Sequence, residues 1–516
     1  MPERKPDILL IILDTLRRDR LSIYGHHRET SPGFDAFAAR STRFTRAVAP
    51  SQWTIPAHSS LFTGIYPSTH GVIEAYGQLS PAHPTLAEIL QVGGYHTVAF
   101  CNNPLVGVLN NGLQRGFDAF YNYASAIPHR PTDAQQSGLR RRFRRWFRPY
   151  ARRIGNQFAH SDMLFRFSLH PLLTPIWSKY INFKGNTANS INDLIDYHDA
   201  YHQGGAEKPT FTFVNLMGAH LPYHPPQDIM NRIAPELRDD RAAYRYMNRF
   251  NADGAGWATP PDEPLTDWQR LVLNGFYDAE IAYQDNYLDR LLNHLLTTGV
   301  LNNTLVIIAA DHGEGHGEHD LFGHGFNVYQ ELVHVPLVIH APDAAEGKQV
   351  VTNVSTRRLF HTILDAAGIT PPLDENDPNA NVRGLSLLNA LNDNTAPDAE
   401  GDLAFSEAFP ASTVLNVIEH RSPKVIERLR LRQVRRAIYQ GNQKLIMREN
   451  QVEGLFNVAS DPAEERNLAA EQPEQTAALE SKIKAFVEEI SQSTDLRTAE
   501  MDAKVVEQLR ALGYVE

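Results

Sequence analysis

Asp7-Ile-Leu-Leu-Ile-Ile-Leu13-Asp14 is a continuous apolar run that ends abruptly in a carboxylate. Its length and lack of alternation fit a strand covered on both faces, as in a parallel sheet. Thr97-Val-Ala-Phe100, Thr210-Phe-Thr-Phe-Val-Asn-Leu216, Thr304-Leu-Val-Ile-Ile-Ala-Ala310 and Val335-Pro-Leu-Val-Ile-His340 read the same way. Helical patterns lie between them, among them Leu86–Gln91 and Tyr277–Leu296. Strands alternating with helices predict an α/β fold with a central, mostly parallel sheet flanked by helices. In such sheets ligands bind beyond the carboxyl ends of the strands. Leu13 runs into Asp14, Ala310 into Asp311-His312, and Leu216 soon into Gly218-Ala219-His220, which directs attention to that edge.

From about Pro397 the pattern changes. Ala404-Phe-Ser, Arg436-Ala-Ile-Tyr439 and Lys444-Leu-Ile-Met447 are short strands with turns between them, followed by helical periodicity over Glu474–Ser491 and Ala503–Leu512. The expected organisation is a catalytic α/β domain over 1–395, carrying insertions at about 122–207 and 228–266. A smaller α+β subdomain with an antiparallel sheet and terminal helices follows over 396–516.

Composition narrows the function classes. The chain of 516 residues is 42% hydrophobic and 21% charged, which is ordinary globular usage. Lys and Arg total 49 against 60 Asp and Glu, a net charge of −11, so nucleic acid is not the expected partner. The lone Cys101 rules out an intrachain disulfide and a Cys-rich metal site. No run approaches a membrane span, and Ile8–Leu13 is too short for a signal-peptide core, so the expectation is a soluble, cytoplasmic protein. One segment stands apart: Arg140–Arg153 holds eight Arg in fourteen residues, with Phe143, Trp146, Phe147 and Tyr150 on one helical face. It reads first as a solvated face bonded to the acidic body. A lid over an anionic substrate, a homo-oligomer contact and a membrane-surface helix are the other readings.

The chemistry-bearing residues are dispersed. Asp14, Thr54 in Ser51-Gln-Trp-Thr-Ile-Pro-Ala-His58, and Asp311-His312 supply two carboxylates, a hydroxyl and an imidazole. Such a set can surround one divalent cation, which lowers the pKa of the hydroxyl and aims its oxygen at an electrophile. The imidazole tilts the ion towards Mn²⁺ or Zn²⁺ and away from Ca²⁺ or Mg²⁺. A second ion would have to recruit His220, His224 and His324, for which no matching carboxylate motif stands out, so one metal is expected. Taken singly, Asp14 would pass for a helix cap, Thr54 for a turn residue and His220 for a loop histidine. His58 and His224 read equally well as surface or supporting residues, and His316 and His319 as parts of a glycine-rich loop.

In combination and order, the segments resemble the sulfatase branch of the alkaline phosphatase superfamily. Leu13-Asp-Thr-Leu-Arg-Arg-Asp is similar to that family's metal-binding turn, and Pro56-Ala-His-Ser-Ser-Leu-Phe-Thr-Gly64 to its nucleophile segment. Asp311-His-Gly-Glu with Gly323-His-Gly325 resembles its late metal motif, and Gly454–Leu468 its C-terminal signature. The resemblance implies a metal-dependent ester hydrolase with Asp14, Thr54, Asp311 and His312 on the metal. It further implies His220 as general acid near the leaving group, and His324 on a non-bridging oxygen or assisting water.

The departures redirect the substrate reading. Sulfatases oxidise a Cys or Ser to formylglycine, whereas Thr54 is a secondary alcohol and cannot give that aldehyde. His58 replaces the family's Arg, Asp311-His312 its common Asp-Asn, and Asp14-Thr15 its common Asp-Asp. A Thr beside an Asp-His pair resembles superfamily branches that act on phosphorus, namely nucleotide pyrophosphatases, lipoteichoic acid synthases and phosphoethanolamine transferases. The expectation is therefore a hydrolase of small anionic phosphate esters, a phosphodiester or phosphonate monoester, working through a covalent Thr54 intermediate. The alternatives are a sulfatase using unmodified Thr54, a phosphotransferase, and a non-catalytic anion-binding relative.

Overall fold

The computed structural model describes residues 5–490 except 75, 125–127, 135–161, 171, 177–182, 206, 262, 343, 373–377 and 392–397. The Arg-rich segment and the expected helix at 503–512 lie outside the described residues.

Nine strands form the main sheet: β1 (Asp7–Leu13), β2 (Thr42–Val48), β3 (His96–Cys101), β4 (Ala119–Asn122), β5 (Thr210–Leu216), β6 (Thr304–Ala309), β9 (His334–His340), β10 (Gln349–Val350) and β11 (Val354–Ser355). The two-residue strands β7 (Gly315–His316) and β8 (Phe322–Gly323) make a separate ribbon. The order is β10-β2-β9-β6-β1-β5-β3-β4, with β11 alongside β2. β1 lies between β6 and β5, parallel to both, and every one of its residues is buried. This position explains the unbroken apolar run: both faces and both edges of β1 are covered.

β9 departs from the parallel expectation. It is antiparallel to both β6 and β2, because the connection from β6 carries only the ribbon and one short helix, Gln330–Val333, in place of a full crossover helix. Its Pro336 is accommodated in an interior strand where the β2–β9 register shifts between Phe44 and Ala47.

The helices Pro32–Ala38, Thr187–Gln203 and Gln227–Ile233 pack on the long helix Asp267–Thr297, and Thr54–Thr63 and Leu86–Val92 pack with Leu359–Ala367. The long helix begins ten residues before its apolar periodicity does. Thr266 and Gln269 form a capping box there, each side chain bonding the other's backbone N–H.

The C-terminal sheet runs β12 (Leu403–Ala408), β13 (Arg435–Gln440), β14 (Gln443–Arg448) and β15 (Gln451–Asn457), antiparallel throughout. A helix over 473–490 follows. Ala404, Ala437, Tyr439 and Phe456 join the same apolar core as the main sheet. The Glu407 N–H also donates to Pro50 O, just ahead of the Thr54–Thr63 helix. No helix among the described residues is long and apolar enough to cross a membrane.

Candidate active site

Four neighbouring strands deliver polar side chains to one edge. Asp14 follows β1, Asp311 and His312 follow β6, Asn215 lies near the end of β5 with His220 beyond it, and Asn102 and Asn103 follow β3. Asp14 Oδ2 accepts from Asn103 Nδ2 at 2.6 Å and Asn215 Nδ2 at 3.2 Å, while its Oδ1 is buried with no hydrogen-bond partner. Asp311 Oδ1 accepts the backbone N–H groups of Thr15 (3.2 Å) and His312 (2.9 Å), and its Oδ2 is likewise buried and unbonded. Thr15 reaches Asp311 by adopting φ 56°, a left-handed conformation that costs a non-glycine residue about 1–2 kcal/mol. Tyr277 holds it there by donating to Thr15 O at 2.6 Å.

His312 donates from Nδ1 to Gly313 O at 2.8 Å, which leaves the Nε2 lone pair facing Thr54 Oγ1 at 3.3 Å. Gly313 is required here, since a Cβ would come within 1.9 Å of the Glu331 carbonyl oxygen. Thr54 is the first residue of the helix Thr54–Thr63, all of which is buried. One turn later, His58 donates from Nδ1 to Thr54 O at 2.9 Å and presents Nε2 to Asn215 Nδ2 at 3.3 Å. His58 is therefore an interior brace and not a surface residue, and burial lowers its pKa to about 4.

The two remaining predicted histidines complete the cluster. The His324 ring lies 4.6 Å from that of His312 and 5.3 Å from that of His220. His324 Nδ1 bonds Glu314 Oε1 at 3.1 Å. Burial opposes a charge on His324, but the Glu314 carboxylate outweighs it and raises the pKa. His220 donates from Nδ1 to Leu221 O at 2.6 Å, and burial, then the neighbouring His324 and Lys184, lower its pKa to about 3. The shifts thus place a proton on His324 in preference to His220. His224 lies apart from this cluster, its N–H donating to Glu280.

Burial raises the Asp14 pKa to about 6, and burial together with the charge of Asp14 raises Asp311 well above the carboxylate range. Two dry carboxylates, each with an unbonded oxygen, and an imidazole lone pair converge within 4.8 Å of one another. That donor set fits a divalent cation.

Asn103, Asn215 and Glu314 are absent from the sequence-based candidates. Glu314 was within reach, as part of Asp311-His-Gly-Glu, whereas the two asparagines carry no local signature. Replacing Asn103 with Leu is expected to weaken metal affinity by about 10–100-fold, as removal of a ligand's supporting bond does elsewhere. Metal titration of the apoprotein measures this.

The sequence model described as sulfatase matches residues 6–369. An arylsulfatase of Clostridium perfringens is 24% identical over 401 residues, covering 75% of this chain and 78% of its own. Arylsulfatase K of Bos taurus is 23% identical over 506 residues, covering 93% of this chain and 82% of its own. Among solved structures, a phosphonate monoester hydrolase of Agrobacterium radiobacter superposes with a TM-score of 0.65 at 21% identity, covering 94% of this chain and 96% of that one.

Proposed function

We propose that this chain, which belongs to the sulfatase family, hydrolyses small anionic phosphate esters, phosphodiesters or phosphonate monoesters, through a covalent phospho-threonine at Thr54. The observation that carries the reading is Thr54 itself. It is an alcohol with one hydroxyl, set on a buried helix N-terminus 3.3 Å from Nε2 of His312, the imidazole that clusters with Asp14 and Asp311.

Asp14, Asp311, His312 and Thr54 Oγ1 would hold the cation, and when bound it supplies Lewis-acid stabilisation of oxyanion charge and acidifies the Thr54 hydroxyl. The chain's own groups set the rest. The His58 bond to Thr54 O braces the helix start and the His312 contact engages Oγ1, which forms the new P–O bond as the ester P–O bond breaks in line. The departing alkoxide takes a proton from an imidazole on that side. His220 is the candidate that the family resemblance supplies, and His324, which the Glu314 carboxylate helps keep protonated, is the better stocked of the two. The imidazole left neutral takes a proton from the water that attacks phosphorus, the P–O bond to Thr54 breaks, and Thr54 Oγ1 departs ionised, as it entered. The net charge of −11 argues against a nucleic acid as the substrate.

A second reading, hydrolysis of sulfate esters by unmodified Thr54, is favoured by the arylsulfatase names of the curated relatives. It meets a chemical obstacle. A sulfated Thr54 has no second hydroxyl through which to collapse by elimination, so water would have to displace it directly.

Matched phosphate, phosphonate and sulfate esters of one phenol, assayed with Mn²⁺ or Zn²⁺, decide between them. The phosphorus esters are expected to have the higher kcat/KM. A sulfate ester better by tenfold, about 1.4 kcal/mol in transition-state stabilisation, overturns the proposal. Running the reaction with added alcohols separates hydrolysis from transfer, because a transferase yields the new ester.

A further inference from the structure

The C-terminal signature Gly454–Leu468 and the loop after His316 meet one layer behind the catalytic cluster. The Glu331 backbone lies against Gly313, next to His312, and the Gly313 N–H donates to Leu332 O at 2.7 Å. The Glu331 carboxylate lies with His319 and Glu464, and its Oε1 is buried with no hydrogen-bond partner. Residue Glu331 is 8% exposed and Glu464 3%. Glu464 Oε2 accepts from the Gln330 N–H at 2.6 Å, and its Oε1 is 2.7 Å from Lys444 Nζ. His319 Nε2 lies 3.9 Å from Glu331 Oε2, its ring stacked on Tyr329 with 3.6 Å between centroids. Ligand atoms of His319, Glu331 and Glu464 all fall within 4.8 Å of one another.

With both carboxylates ionised, the charges would not balance. Lys444 is one ammonium against two buried carboxylates, and it also donates to Val328 O at 2.6 Å. Arg17, the nearby guanidinium, is engaged with Asp19, Glu318 and Glu314 O. Uncompensated carboxylate charge in a dry interior costs several kcal/mol unless a cation or a proton meets it.

We propose that His319, Glu331 and Glu464 bind a second divalent cation of the Mn²⁺ or Zn²⁺ class, which ties the C-terminal subdomain to the loop that follows Asp311-His312. One imidazole and two carboxylates are the donor types such ions take, and water fills the remaining positions. The bonded Lys444 then serves as an outer partner that orients the Glu464 carboxylate. The role is structural, because none of the three ligands belongs to the cluster around Thr54.

The test is metal stoichiometry of the whole protein, by equilibrium dialysis against Mn²⁺ or Zn²⁺ followed by elemental analysis. Two equivalents are expected for the unaltered chain, one for Glu331→Gln, one for Asp311→Asn, and none for the two substitutions together. Glu331→Gln is discriminating because a carboxamide imitates a protonated carboxyl. If a proton balances the site, the variant keeps the parent's metal count and melting temperature, and the proposal is overturned. His319→Gln, at a partly exposed position, decides the matter if Glu331→Gln does not fold. It should lose the same equivalent with an unchanged circular dichroism spectrum. A single equivalent in the unaltered chain, lost only on Asp311→Asn, also overturns the proposal while leaving the catalytic metal intact.

Discussion

Thr54→Ala is expected to lower kcat by about 10⁴-fold or more while the fold persists. Loss of a covalent nucleophile removes the reaction path itself, and what remains comes from binding and electrostatics. The structural cost should be small, since alanine suits the first turn of a helix and the hydrogen bond lost from Thr54 Oγ1 is the one to His312. Steady-state rates with the best phosphorus ester, alongside circular dichroism, check both halves. Thr54→Ser should retain turnover, because a primary hydroxyl occupies the same place. Mass spectrometry of acid-quenched protein should find a phosphoryl adduct on Thr54 and no oxidation. Full activity in Thr54→Ala would end the covalent mechanism.

The second large effect is on the metal. Chelation is expected to abolish turnover, with Mn²⁺ or Zn²⁺ restoring it, and His312→Ala to require far more metal for the same rate. His312 presents its only free lone pair to this cluster, so alanine deletes a ligand outright. The cation should also stabilise the fold, by about 2.7 kcal/mol at a hundredfold excess over Kd. Affinity should fall as the pH is lowered, because burial raises Asp14 to about 6 and burial with the charge of Asp14 raises Asp311 well above the carboxylate range, and both must shed their protons to bind. Metal titrations of the apoprotein at pH 5 and pH 8 measure that slope. Undiminished activity after exhaustive chelation would exclude a metal mechanism.

The sequence discloses the ligands that end apolar strands and hides those that support them. Asp14 and Asp311-His312 interrupt hydrophobic runs, which a linear reading detects directly. Asn103 and Asn215 reach Asp14 through bonds that span 89 and 201 residues, and no periodicity marks them. Asn215 sits inside the very run that identifies β5, where its side-chain direction depends on register with β1 and β3. The direction of β9 was hidden for a related reason. An apolar run does not encode its polarity, and the length of chain before it, from β6 onward, does not reveal that it lacks a crossover helix. The early start of the long helix was written plainly as Thr266-x-x-Gln269, but polar capping residues fall outside a search for apolar periodicity.

The central place of β1 has a consequence for biosynthesis. Both of its neighbours are encoded far downstream, β5 ending at Leu216 and β6 at Ala309. At roughly 5–20 residues per second, the ribosome needs about 15–60 s between completing β1 and completing β6. Throughout that interval the most apolar strand has at least one edge unpaired, an invitation to wrong partners. Asp14 and Asp311 cannot be brought together until that wait is over, so the proposed site can form only once the chain is past its midpoint.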